Sequence, residues 1–61
     1  MYTMGIDMGA KTIKVVILKD NEVVAKSIVV AGFEVKKMAN EAVDKALNEA
    51  GITKEDISKT V

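Results

Sequence analysis

The sequence predicts a small α/β domain: a three-stranded antiparallel meander covered by one amphipathic helix. Three features carry that prediction. Two short apolar segments flank the turn around Asp7-Met8-Gly9. A second polar turn, Lys19-Asp20-Asn21-Glu22, precedes another run rich in β-branched residues. After Ala31-Gly32 the apolar residues change to helical spacing.

Tyr2–Asp7 reads as the first strand, with Met4 and Ile6 on one face and Thr3 and Gly5 on the other. Thr12–Leu18 reads as the second. Ile13, Val15 and Ile17 share one face, and Val16 and Leu18 make the opposite face apolar too, so both faces expect cover. Asp20 and Asn21 tolerate positive φ and suit a tight hairpin, from which Glu22–Val30 returns as the third strand. Ala31-Gly32 is the break before the helix.

From Glu34 to Ala50 the apolar residues are Val35, Met38, Ala39, Ala42, Val43, Ala46, Leu47 and Ala50, the stripe of an amphipathic helix. Its alanines let the axis approach a sheet, and Glu41 with Lys45 offers an i,i+4 ion pair. Gly51 suits the left-handed position that ends a helix, and Ile52 can close on Leu47. Thr53-Lys54-Glu55-Asp56 resembles a capping box opening a short turn through Ile57. Ser58-Lys59-Thr60-Val61 then heads back toward the sheet. The meander and helix are therefore expected to be truncated before the fourth strand, which leaves Tyr2–Asp7 as an exposed edge able to recruit a second chain.

Sixty-one residues make at most one domain. There is no Cys, His, Trp or Pro, which excludes thiolate and imidazole chemistry and disulfides within this stretch, so any metal binds through oxygen. Lys and Arg together number 9, Asp and Glu 9, and only Tyr2 and Phe33 are aromatic. That balance argues against nucleic acid as a partner. The apolar runs Val15–Leu18 and Ile28–Ala31 are too short to span a bilayer, and a cytoplasmic location is expected.

The first turn is the candidate site. A carboxylate at a strand end, Asp7, can hold hydrated Mg²⁺, and a glycine turn lets backbone N–H groups approach phosphate oxygens. The same Asp-x-Gly also fits a plain surface hairpin in which Asp7 and Gly9 only satisfy turn geometry.

The order of hairpin, third strand, helix and returning strand, with Asp-x-Gly in the first turn, resembles the first, ribonuclease H-like half-domain of the actin, hexokinase and heat-shock-chaperone ATPase superfamily. Within it, Gly5-Ile6-Asp7-Met8-Gly9-Ala10-Lys11-Thr12-Ile13-Lys14, then Val16-Ile17-Leu18-Lys19-Asp20 and the Ala31-Gly32-Phe33 break, is most similar to the activator ATPases of 2-hydroxyacyl-CoA dehydratases and their benzoyl-CoA reductase relatives. The resemblance spans essentially the whole chain, and its specific part is Asp7 to Lys14. It implies that residues 1–61 are an N-terminal fragment of an actin-like ATPase domain. By position, Asp7 would orient Mg²⁺ or its bound water, and the backbone of Gly9, Ala10 and Lys11 would face the phosphates of ATP. Thr12 and Lys14 would add side-chain contacts, although Lys14 fits solvent equally well. No residue is assigned a catalytic role.

Many members carry Ser or Thr directly after the glycine, where this chain has Ala10 and then Lys11. One hydroxyl donor is missing and Lys11 stands in as a cation, which counts against efficient hydrolysis. In such activators, the resemblance implies, a homodimer holds one [4Fe-4S] cluster and couples ATP hydrolysis to low-potential electron transfer toward an acyl-CoA dehydratase or reductase. A cluster needs thiolates, and this chain has none, so the 61 residues alone are expected to show no turnover. A sugar or small-molecule kinase of the same superfamily, and a non-catalytic interaction or scaffold module, are the competing readings.

Overall fold

The computed structural model describes every residue from Met1 to Val61. The elements are β1 (Tyr2–Met8), β2 (Thr12–Lys19), β3 (Glu22–Val30), α1 (Val35–Ala50), a single 3-10 turn (Lys54–Asp56) and β4 (Ile57–Thr60). The strands form one mixed sheet in the order β3-β2-β1-β4, with β1 antiparallel to β2, β2 antiparallel to β3, and β1 parallel to β4. The meander and its covering helix are as the sequence predicts.

The registers decide which side chains meet. Met4 lies opposite Ile17, Ile17 opposite Ala25, and Val15 opposite Ser27, so alternate residues of three strands share one face. On that face Ile13, Val15 and Ile17 are wholly buried, with Met4, Ala25 and Val29 beside them and Ala42, Val43, Ala46 and Leu47 of α1 above. Ala42 and Ala46 are fully buried, which fits a helix axis drawn close to the sheet. The opposite face has no helix. Val16 and Leu18 stay half-buried there and Ile28 is exposed, so the expected cover exists on one side only.

Local chemistry sets the turns. Asp20 and Asn21 have φ of +49° and +71°, the pair of positive values that a two-residue hairpin of type I′ requires. The Asp20 carboxylate accepts a hydrogen bond from the Met1 amino group at 2.8 Å, and the Asp20 N–H donates to the Met1 carbonyl at 3.1 Å. The hydrogen bond from the amino terminus, then its charge, hold the Asp20 carboxyl below the usual carboxylate range. At the end of α1, Gly51 adopts φ +73°. Its N–H donates to the Asn48 carbonyl, and the Ile52 N–H to that of Leu47. That bond pattern is a Schellman closure. The Asp56 carboxylate accepts the Thr53 N–H at 3.0 Å, as the capping-box reading requires.

Two expectations are corrected. The fourth strand is not missing: the 3-10 turn ends at Asp56, and Ile57–Thr60 already pairs with β1. The Val61 N–H donates to the Met4 carbonyl at 2.9 Å, and the Val61 carbonyl accepts the Ile6 N–H at 3.0 Å. β1 is therefore an interior strand, and the free edges belong to β3 and β4. The second correction concerns the helix surface. Glu41 and Lys45 do not pair; the helix's ion pair is Lys37 with Glu34 at 3.5 Å, at its exposed first turn. A solvated lysine gains little from either partner, so neither arrangement stabilises much.

Candidate phosphate-facing turn

β1 and β2 position the site because their register places Asp7 directly opposite Lys14, one residue pair in from the end of the ladder. Both side chains lie on the face without a helix, and both are exposed. They do not form an ion pair within 4.0 Å, the chain's two such pairs lying elsewhere. The carboxylate and the ammonium are thus adjacent and free. With Gly5, Ile6, Val16 and Val61 they line a shallow depression of about 310 Å³.

The turn itself is Gly9-Ala10-Lys11 between the strand ends. Gly9 donates its N–H to the Thr12 carbonyl at 2.8 Å, closing the turn, and the Lys11 carbonyl accepts the Ala31 N–H at 2.8 Å, tying the tip to the end of β3. The N–H groups of Ala10 and Lys11 have no acceptor in the chain, and both residues are exposed. Two adjacent, exposed and unbonded amides at a turn are donors that an anion can accept from. Of the three amides the sequence points to, Ala10 and Lys11 are available and that of Gly9 is engaged.

The backbone does not demand glycine at positions 5 and 9. Neither has positive φ. A Cβ on Gly5 would meet nothing within 4 Å, and one on Gly9 would touch the Thr12 carbonyl oxygen at 3.4 Å, close to ordinary contact. A strand-interior glycine weakens a sheet, and it commonly marks a place where a ligand approaches the backbone. Gly5 sits in the wall of the Asp7–Lys14 depression, and Gly9 begins the turn beside it.

No three metal-binding side chains gather anywhere in the chain. A cation at Asp7 would have one protein ligand and complete its shell with water and phosphate oxygens, a habit of Mg²⁺ rather than of structural metals. A lone carboxylate is compatible with a cation that keeps most of its water shell, and with no cysteine the chain's donors do not fit an iron–sulfur cluster. Sequence reasoning did not reach Val16 and Val61, which line the depression from the neighbouring strands. Their place depends on the register of β2 and on the closing bonds of Val61, for which no local signal exists.

No family model matches the chain. Over its full length it is 47% identical to the activator of lactoyl-CoA dehydratase of Anaerotignum propionicum. It is 40% identical to the (R)-2-hydroxyglutaryl-CoA dehydratase activating ATPase of Acidaminococcus fermentans. In each case the chain spans 24% of the relative's length. The crystal structure of component A of the A. fermentans (R)-2-hydroxyglutaryl-CoA dehydratase superposes with a TM-score of 0.88 at 39% identity, covering 98% of this chain and 23% of that one.

Proposed function

From a chain homologous to activators of 2-hydroxyacyl-CoA dehydratases, we infer that these residues are the phosphate-binding portion of an ATP-dependent activator subunit whose partner is such a dehydratase. The observation that carries this reading is the pair of unbonded amides at Ala10 and Lys11, set beside an unpaired Asp7 in an exposed turn. The dehydratase names of both curated relatives favour a dehydratase over a benzoyl-CoA reductase.

The chain's own residues divide the work. The Ala10 and Lys11 N–H groups donate to phosphate oxygens, and the Lys11 ammonium adds positive charge in place of the absent hydroxyl. Gly9 keeps the approach clear by lacking a side chain. Asp7 accepts hydrogen bonds from the water shell of the cation, and Lys14, across the ladder from Asp7, adds a side-chain contact to a further phosphate oxygen. Bound Mg²⁺ supplies charge neutralisation and orientation of the phosphates. Phosphoryl transfer depends chiefly on such positioning and electrostatics. These residues bind and orient. The chain offers no group for electron transfer, and that activity is assigned to the remainder of the activator.

The test is an amide NMR titration with MgADP and MgATP. The Ala10 and Lys11 resonances are expected to shift most, Asp7→Asn to remove the dependence on Mg²⁺, and Gly9→Ala to weaken binding while the remaining spectrum stays native. Absence of shifts at Ala10 and Lys11 with millimolar magnesium nucleotide would overturn the assignment.

A further inference from the structure

We propose that the depression between the middle of β3 and the flank of α1 is a binding site for a free α-amino acid, held by its adjacent carboxylate and ammonium groups. The depression has a volume of about 310 Å³ and is lined by Lys26, Ser27, Ile28, Lys45 and Glu49. It shares no residue with the phosphate-facing turn or with the Asp7–Lys14 depression. Ser27 is the residue that marks it. It is the only polar side chain among the 12 buried residues, at 8% exposure, and its hydroxyl oxygen has no hydrogen-bond partner. The strand around it is built from good sheet formers, Val23, Val24, Ile28, Val29 and Val30. A hydroxyl that only filled space there would cost stability, so its presence calls for a group that bonds it.

The rim supplies both signs of charge. Lys45 and Glu49 lie one helical turn apart on α1, both exposed, and neither forms an ion pair with the other or with any other residue. The strand edge adds backbone groups. The Ala31 N–H points to the β2 side, where it donates to the Lys11 carbonyl. Direction alternates along an antiparallel strand, so Val29 and Ser27 turn their backbone groups to β2, while Ile28 and Lys26 turn theirs to the free edge. The Ile28 N–H and the Lys26 carbonyl therefore flank Ser27 on the unpaired side. The Lys45 ammonium, the Ser27 hydroxyl and the Ile28 N–H are donors for a carboxylate, and the Glu49 carboxylate and the Lys26 carbonyl are acceptors for an ammonium. An α-amino acid carries both groups on adjoining carbons and meets both sets within one depression. A simple carboxylate would face the like charge of Glu49, and a simple amine that of Lys45. The volume lies at the small end of ligand pockets and suits a small amino acid rather than a nucleotide.

Amide NMR spectra of the chain titrated in turn with L-alanine, sodium acetate and methylammonium chloride test the assignment. L-alanine is expected to bind with a millimolar dissociation constant and to shift the Ser27 and Ile28 amides most. Acetate and methylammonium are each expected to bind at least about tenfold more weakly. Lys45→Gln and Glu49→Gln, both at exposed helix positions that leave the fold intact, are each expected to weaken L-alanine about tenfold. Ser27→Ala is expected to weaken it about fivefold or more while raising the thermal midpoint of the ligand-free chain, a pair of opposite effects that a purely structural serine does not give. No shift at tens of millimolar L-alanine would overturn the proposal. So would acetate or methylammonium binding as tightly as L-alanine, or unchanged binding in the Lys45 and Glu49 variants.

Discussion

Replacing Ser27 with alanine is expected to stabilise this fold, against the usual direction for a buried substitution. Ser27 is 8% exposed and lies opposite Val15 on the face beneath α1, and its hydroxyl oxygen is buried with no hydrogen-bond partner. An unsatisfied buried hydroxyl costs about 1–3 kcal/mol. Removing one oxygen leaves a void of at most about 10 Å³, which at roughly 24 cal/mol per Å³ costs about 0.2 kcal/mol. The lower strand preference of alanine subtracts a few tenths more. The net gain is about 1 kcal/mol, or about 4–8 °C in the midpoint for a domain of this size. Thermal melts and urea titrations give the answer, and an unchanged urea slope would confirm that the denatured state is not the cause. A lower midpoint for Ser27→Ala would refute the reasoning, because it would mean the hydroxyl is satisfied in the native state. Ser27→Val, which adds bulk on the buried face beneath α1, is expected to fall below the parent.

Gly51→Ala forces a Cβ into the left-handed region at φ +73° with open space around it, so the cost is purely conformational, about 1 kcal/mol in urea unfolding. Ile17→Ala empties the middle of the core at a wholly buried position and should cost about 2–5 kcal/mol. Against a total of about 3–9 kcal/mol for this length, circular dichroism should show a largely or partly unfolded chain at 37 °C. For Asp20 the sign follows from its lowered carboxyl, held down first by the hydrogen bond from the amino terminus. Its contribution is complete above the unfolded value near 3.8 and is lost as pH falls through the lower native value. A carboxyl carbon titration by NMR should place the Asp20 midpoint below 3.8, and Asp20→Asn should flatten that part of the stability profile.

Much of the fold is legible in the sequence because it rests on chemistry within a few residues. Asp20-Asn21 encode their own positive φ, Gly51 with Ile52 encodes the helix stop, and Thr53 to Asp56 encodes the last turn. The helical stripe from Met38 to Ala50 likewise identifies its buried face, although Val35 at its start remains exposed. The candidate turn is legible in part: Asp-x-Gly marks it, but the sequence does not say which of its amides are free.

The sequence by itself determined the first three strands, the helix and their turns, and marked Asp7 to Lys11 as the candidate loop, since each is set by local dihedral preference or by a periodic apolar pattern. Tertiary structure decided what depends on distant partners. It paired Ile57–Thr60 with β1 and so moved that free edge from β1 to β4; it placed Asp7 beside Lys14 through strand register; and it left Lys45 without Glu41. The reason is that strand pairing and side-chain encounter across a sheet depend on the closure of long loops against the shared core. Residues near in sequence carry no record of which distant backbone groups will take their hydrogen bonds.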